Sequence, residues 1–198
     1  LALLNDEPIK YRVMVYIVIF CGLHLGELVN LEWSDIDFEN GLLTISKQLQ
    51  YLPEYGIYEM KTAKTETGNR TISIPSSLIS LLQEYQKWQN DEIQKLGDRW
   101  IGSNKLFTKE NGEPIYPGTP SKWFSKFIER NNLPPLTFHQ LRHTNASLLI
   151  SQGVDVATVS KRLGHADVSV TLRTYTHALK QKDKEAIEKL ENVIKPEA

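Results

Sequence analysis

Apolar positions from Val13 to Leu25 recur with helical spacing behind an acidic start, Asp6 and Glu7, and Pro8 in the first turn. That pattern predicts a helix from Asn5 or Asp6 to Phe20, broken by Gly22. Leu25, Leu28 and Leu31 mark a second, short helix. Between residues 42 and 75 the period drops to two. Residues 42–49, 57–61 and 70–75 then read as three strands, with 64–69 as the last turn. Helical spacing returns after Pro75, where Leu78, Ile79, Leu81, Leu82, Tyr85 and Trp88 share the buried side of a helix reaching about Lys95. Residues 97–118 are irregular, with a short strand at 105–108 and a turn at Asn111-Gly112. Thr119 or Ser121 caps the next helix, whose Trp123, Phe124, Phe127 and Ile128 form a core stripe.

Three short helices follow. Pro134-Pro135 forbids a helix from running straight into Thr137, and Thr137 with Gln140 forms a capping-box pattern. Leu141, Leu148 and Leu149 take one face of that helix, His139 and Arg142 share another, and Gly153 ends it. Asp155 caps a second helix that stops at Gly164, and Asp167 or Ser169 caps a third that carries Tyr175. A charged tail helix from Asp183 to Ile194 has Ile187, Leu190, Val193 and Ile194 along one stripe. The expected fold is mainly α with a small antiparallel three-stranded β-sheet.

With 198 residues, 40% of them apolar, the chain buries a full core, and one domain is the natural count. No stretch reaches the roughly 18–20 apolar residues a membrane span needs, so no membrane partner is expected. The single Cys21, set in apolar YIVIFCGL, leaves no internal disulfide framework and points to a reducing intracellular compartment. No signal peptide is visible, and a start at Leu1 reads as an excised domain. A formal charge of −1 argues mildly against nucleic acid, but the charges are unevenly spread. Acidic residues gather at Glu27–Glu39 and Asp183–Glu197, basic ones at Lys61–Arg70, Lys122–Arg130 and Arg142–Arg173. A local positive face fits that distribution.

Within about forty residues the last third sets His139, Arg142, His143, His165, Arg173 and Tyr175 on three helices. Backbone N–H groups at the start of the first helix suit an anion beside His139 and Arg142. The pattern H-x-x-R-H, then L-G-H, then a Tyr ten residues later resembles the signature of the tyrosine recombinases, the phage-integrase family. Two upstream stretches extend the resemblance over nearly the whole chain. In CGLHLGELVNLEW, Gly22, Leu23, Gly26, Glu27, Leu28, Leu31 and Trp33 match that family's first box. The stretch K-T-E-T-G-N-R-T-I resembles its β-hairpin and makes Lys64 the catalytic lysine, with Lys61 the alternative.

The resemblance implies a catalytic domain over residues 1–177 with a C-terminal tail helix over 178–198, the N-terminal DNA-binding domains being absent. It implies a site-specific recombinase or integrase of a phage or mobile element, working through a 3′-phosphotyrosine intermediate. Tyr175 is then the nucleophile, Arg142 the bidentate phosphate clamp and His139 the base. His165 is a phosphate ligand and Lys64 the acid for the leaving 5′ oxygen. Lys61, Arg70, Lys122, Lys126, Arg162 and Arg173 are candidate DNA contacts. The expected partner is double-stranded DNA at an attachment site, within a homotetramer, the fragment alone being a monomer. Neither metal nor other cofactor is implied, and the sequence holds no Walker loop, paired Cys or evident carboxylate cluster. Two other readings are a catalytically silent DNA-binding module and a type IB topoisomerase-like relaxer.

One position departs from the pattern: His24 stands where the family has its first catalytic Arg. Three explanations compete: the change cripples cleavage, His24 acts as imidazolium as pH falls towards about 6, or another arginine such as Arg12 reaches in. Loss of one such transition-state donor typically costs about 10²–10³ in rate.

Overall fold

The computed structural model describes residues 1–52, 56–61 and 69–176, and four tail positions (Ile187, Leu190, Glu191 and Ile194); side chains are described outside 50–68. Among the described residues the chain is mostly helical, with α1 (Ile9–Cys21) at the centre of the main core. A short 3₁₀ turn over Ala2–Asp6 takes the place of the expected first turn, and Pro8 sits at the N-cap. Val13, Met14, Val15, Ile17, Val18 and Cys21 of α1 are buried, and Tyr16, Ile19 and Phe20 pack against the core from its other sides. That is why its apolar run shows little one-sidedness. Gly22 ends it in the left-handed region, with φ 66°. The helices α2 (Leu25–Asn30), α3 (Ser76–Leu96) and α4 (Thr119–Arg130) follow. The aromatic stripe of α4 is core, with Phe124 and Phe127 buried and Trp123 stacked on Tyr11 of α1 at 4.3 Å.

The strands differ from the sequence expectation. Residues 42–49 are not one strand but β2 (Leu42–Ile45) and the start of β3 (Lys47–Leu52), parted at Ser46. The three-stranded antiparallel sheet has the order β1 (Ile36–Asp37), β2, β5 (Arg70–Ser73), whereas β3 pairs with β4 (Gly56–Lys61) as a separate two-stranded ribbon. Unbroken alternation of side chains hides the change of neighbour, because a strand can switch partners without losing its period. The strand expected at 105–108 is reduced to isolated bridges, Glu32 with Lys105 and Thr108 with Pro114.

The ribbon reaches the rest of the protein through Gly26 of α2. A Cβ built at Gly26 would lie 2.3 Å from the Leu49 carbonyl oxygen, so only glycine lets β3 lie this close. Gly26→Ala is accordingly expected to lower stability by about 1–3 kcal/mol, read by denaturant unfolding. An unchanged midpoint would mean that the ribbon does not rest on α2.

The last three helices are α5 (Phe138–Ser151), α6 (Val156–Leu163) and α7 (Val168–Thr174). Each begins at the cap its sequence suggests. Thr137 and Gln140 exchange hydrogen bonds, with the Thr137 N–H donating to Gln140 Oε1 at 2.6 Å. Asp155 accepts from the Thr158 N–H at 2.8 Å, and Asp167 from the Ser169 N–H at 2.8 Å. Leu148 of α5 points outward and is exposed, contrary to the expected apolar face. These helices share their own cluster of Ala146, Ile150, Val159 and Leu163, and Tyr175, just past α7, completes it. Burial of each large aliphatic side chain there contributes about 1.5–3 kcal/mol, enough to fix where Tyr175 sits. The tail is helical and exposed at its four described positions. No described helix is long and apolar enough to cross a membrane.

Candidate active site

Arg142 is the hub. It lies on the inner face of α5 and is 2% exposed. Its Nη1 donates to the Gly22 carbonyl, and its Nη2 to the Leu163 carbonyl at 2.8 Å. Both acceptors lie at helix C-termini, of α1 and α6, where partial negative charge favours a cation. Burial pushes the Arg142 pKa down to about 10, which still leaves it protonated at neutral pH. A guanidinium carries five N–H donors, and these carbonyls engage two. The fork is thus aimed by backbone on one side while donors remain for an anion.

His24, His143, His165 and Tyr175 all feel the Arg142 charge. The Tyr175 side chain is buried, and its hydroxyl lies 2.9 Å from Nδ1 of His143. Burial raises the phenol's pKa, and Arg142 opposes that rise. His165 follows Gly164, whose φ of 76° turns the chain out of α6. Its Nδ1 is 2.7 Å from Oγ1 of the buried Thr171, which fixes the ring and leaves Nε2 as its outward nitrogen. The pKa of His165 is lowered by burial, with Arg142 adding to the effect. His139 is exposed on the first turn of α5, edge-on to His143 at 4.7 Å between ring centres and stacked on His24 at 6.2 Å. The ring that touches the phenol is therefore His143, not His139.

His24 is the N-cap of α2. The ring's inner edge is desolvated and Arg142 is close, and together these push its pKa down to about 4, although its outer edge is open to water. Solvent at that edge softens the displacement without reversing it. In the free protein His24 is thus disposed to be neutral near pH 6, so an imidazolium there would need a bound anion to hold its proton. Arg12 is directed elsewhere, with its guanidinium 3.7 Å from Glu84 of α3.

Beneath the site lies a buried ion pair that the sequence reading did not foresee. Arg70, 6% exposed, donates to both carboxylate oxygens of Glu27, 4% exposed, at 2.8 and 2.9 Å. Its Nε donates to the Arg162 carbonyl at 2.7 Å, one residue before the carbonyl that Arg142 holds. Glu27 in turn accepts from the His24 N–H at 2.8 Å. The pair therefore ties β5, α2 and α6 around Arg142. Arg70, expected at DNA, is spent inside the protein. Arg162 is half-buried, donating to the Phe20 and Ser73 carbonyls at 3.1 and 3.4 Å. Lys122, Lys126 and Arg173 are exposed and keep their place among the candidate DNA contacts. Lys64 lies outside the described residues, as does the side chain of Lys61.

The model of the phage integrase family matches residues 1–182. This chain belongs to the phage integrase family. Among its relatives, a tyrosine recombinase XerC-like protein of Caldanaerobacter subterraneus subsp. tengcongensis is 34% identical over 96% of this chain and 54% of its own length. The ICEBs1 integrase of Bacillus subtilis is 30% identical over 98% of this chain and 52% of its own. The chain thus spans about half the length of these phage-integrase relatives. A structure of the Tn1549 transposon integrase in complex with circular intermediate DNA superposes with a TM-score of 0.77 at 26% identity, covering 95% of this chain and 62% of that one. That likeness accounts for the helices and the small sheet.

Proposed function

We propose that residues 1–177 are the catalytic domain of a site-specific DNA recombinase of a phage or mobile element, with Tyr175 as nucleophile. The observation that carries this reading is a buried phenol held by an imidazole within the field of a braced, permanently charged arginine. A phosphodiester repels nucleophiles, and its in-line transition state gathers charge on the nonbridging oxygens. Catalysis then depends on positioning and electrostatic stabilisation. Arg142 supplies both. His165, fixed by Thr171, presents Nε2 to the phosphate, and His139, at the exposed first turn of α5, takes the phenolic proton as the resemblance implies. Tyr175 attacks phosphorus to give a 3′-phosphotyrosine ester and releases a 5′ hydroxyl, with the hairpin lysine, Lys64 or Lys61, donating to the leaving oxygen. The ester conserves the energy of the broken bond, so a partner strand's 5′ hydroxyl reverses the step without ATP. DNA duplexes bearing the attachment site are the partner, and exchange between two of them needs a tetramer.

The test is to incubate the chain with a pool of nicked duplexes randomised across the cleavage region, so that the cut strand diffuses away. A covalent protein–DNA adduct, lost in Tyr175→Phe, is the expected result; DNA binding without adduct would reject it.

The neutrality of His24 favours a second reading, a DNA-binding module silent in cleavage. A neutral ring gives the phosphate at most a hydrogen bond where a guanidinium gives a charge and two donors. His24→Arg is expected to raise adduct formation tenfold or more, in line with the value of one such donor. Equal rates would reject the idea that His24 limits cleavage. Acidification towards about pH 6 should give no gain in the unmodified chain, in keeping with the neutral His24 of the free protein. A gain would mean that the bound phosphate holds a proton on the ring.

A further inference from the structure

We infer that Thr171 is a positioning residue for cleavage: its hydroxyl donates to Nδ1 of His165 and so keeps the ring's one hydrogen on Nε2, from which the ring donates to a nonbridging oxygen of the phosphate. The inference rests on the cleavage reading above and deepens it. Thr171 is the buried residue of α7, whereas its neighbours Val168, Val170 and Leu172 are exposed. A polar side chain in the enclosed position of a helix, with apolar ones outside, reverses the usual order and calls for a partner. That partner is His165, whose Nδ1 lies 2.7 Å from Oγ1. The backbone holds the ring's position too, because the His165 N–H donates to the Ser160 carbonyl at 3.1 Å, just past the left-handed turn at Gly164. The carbonyl of Thr171 accepts from the Tyr175 N–H at 3.0 Å, so one residue registers both the phosphate ligand and the nucleophile.

The direction of that hydrogen bond follows from counting donors. Among the described residues, Nδ1 of His165 is the one hydrogen-bond partner of the Thr171 hydroxyl. Were Nδ1 to carry the ring's hydrogen and donate to Oγ1, the hydroxyl hydrogen would be buried without an acceptor. With the hydroxyl as donor both atoms are satisfied, and the ring's hydrogen falls on Nε2, the outward nitrogen. The same contact opposes an imidazolium, which would put a hydrogen on Nδ1 and turn the hydroxyl away from its acceptor. Burial, and then the charges of Arg142, Arg70 and His143, also disfavour a second proton on the ring. A neutral imidazole donates through Nε2 in only one of its two tautomers. In the other, a lone pair faces the anionic oxygen. Which nitrogen bears the hydrogen therefore decides whether His165 stabilises the charge that gathers on the phosphate.

Thr171→Val removes the hydroxyl while keeping the side chain's shape and the backbone bond to Tyr175, and Thr171→Ser restores the hydroxyl. The first arm needs no DNA. In ¹⁵N-histidine NMR of the chain, His165 should show a bare, hydrogen-bonded Nδ1 and a hydrogen on Nε2. That hydrogen should spread over both nitrogens in Thr171→Val and return to Nε2 in Thr171→Ser. A hydrogen resident on Nδ1 in the parent, or an unchanged tautomer in Thr171→Val, would overturn the inference. The second arm uses the nicked-duplex pool at saturating DNA, with His24→Arg as the background. Thr171→Val is expected to bind DNA as the parent does and to form adduct about tenfold more slowly, with Thr171→Ser within about threefold of the parent. The loss stays below the roughly 10²–10³ of a donor removed outright, because part of the ring population keeps its hydrogen on Nε2. A valine variant as fast as the parent, or a loss that serine does not restore, would overturn the inference too. Adduct rates indifferent to Thr171 reject this inference alone. No adduct from any variant rejects the cleavage reading and the phosphate contact with it, while the spectra still decide the tautomer.

Discussion

Arg142→Ala is expected to lower adduct formation by about 10²–10³-fold and to destabilise the protein at the same time. The rate loss follows from removing the charge aimed at the phosphate. The stability loss follows from what Arg142 holds: without it the Gly22 and Leu163 carbonyls lose a buried donor, at about 1–3 kcal/mol each. Arg142→Lys separates the two effects. An ammonium restores the charge but not the planar fork that spans the ends of α1 and α6, so stability should recover only in part and the rate should stay well below that of the arginine. Denaturant midpoints and single-turnover adduct rates, compared across the three proteins at a temperature where all are folded, provide the check. A lysine variant as fast as the parent would show that the fork geometry contributes nothing to the reaction.

The second large effect concerns Glu27 and Arg70. Removing one partner of a buried, hydrogen-bonded ion pair strands the other, and Arg70→Met is expected to cost about 3–5 kcal/mol at neutral pH. The pH dependence gives the loss a signature. Burial alone would raise the pKa of Glu27, but the Arg70 hydrogen bonds and charge outweigh it, and the net direction is down. In the parent, then, Glu27 contributes stability above its unfolded pKa, and that contribution fades as pH falls through the lower folded value. In Arg70→Met burial is opposed chiefly by the remaining His24 N–H bond and the folded pKa rises, so protonation relieves the variant and its stability relative to the parent improves as pH drops towards about 4. Unfolding curves at neutral and acidic pH should show the gap between the two proteins narrowing. A gap that is constant with pH would mean the pair is not the source of the loss. The Arg70 Nε bond to the Arg162 carbonyl adds a functional consequence, since slack at that carbonyl passes to its neighbour at Leu163, which orients Arg142.

What the sequence discloses about this protein depends on how local the controlling interaction is. Thr137 with Gln140, Asp155, Asp167 and the glycines at 22 and 164 act within a few residues, and the helix ends they imply are the ends observed. Partnership between strands is not local. The unbroken alternation of 42–49 gives no sign that the chain leaves one sheet at Ser46 and enters a ribbon resting on Gly26. The same distinction runs through the site. The spacing of His139, Arg142, His165 and Tyr175 carries the family resemblance, but which imidazole meets the phenol depends on how α7 packs on α6 and α6 on α5. That is set by Val159, Leu163 and Ile150 rather than by the motif. Arg70 in a polar hairpin reads as a DNA contact because its partner, Glu27, lies 43 positions away. His24 stands out in the sequence as a departure, whereas its protonation follows from burial and from Arg142, neither of which adjacent residues reveal.

Peptide mapping of the adduct tests most directly whether the Tyr175 oxygen forms the covalent bond to DNA. Protein trapped on the randomised nicked duplexes is digested with protease and nuclease, and the modified residue is read by mass spectrometry in the parent, His24→Arg and Tyr175→Phe proteins. A 3′-nucleotide ester on Tyr175, more abundant in His24→Arg and absent from Tyr175→Phe, is the predicted result. A nucleotide mapped to any other side chain, or an adduct that survives in Tyr175→Phe, would contradict it.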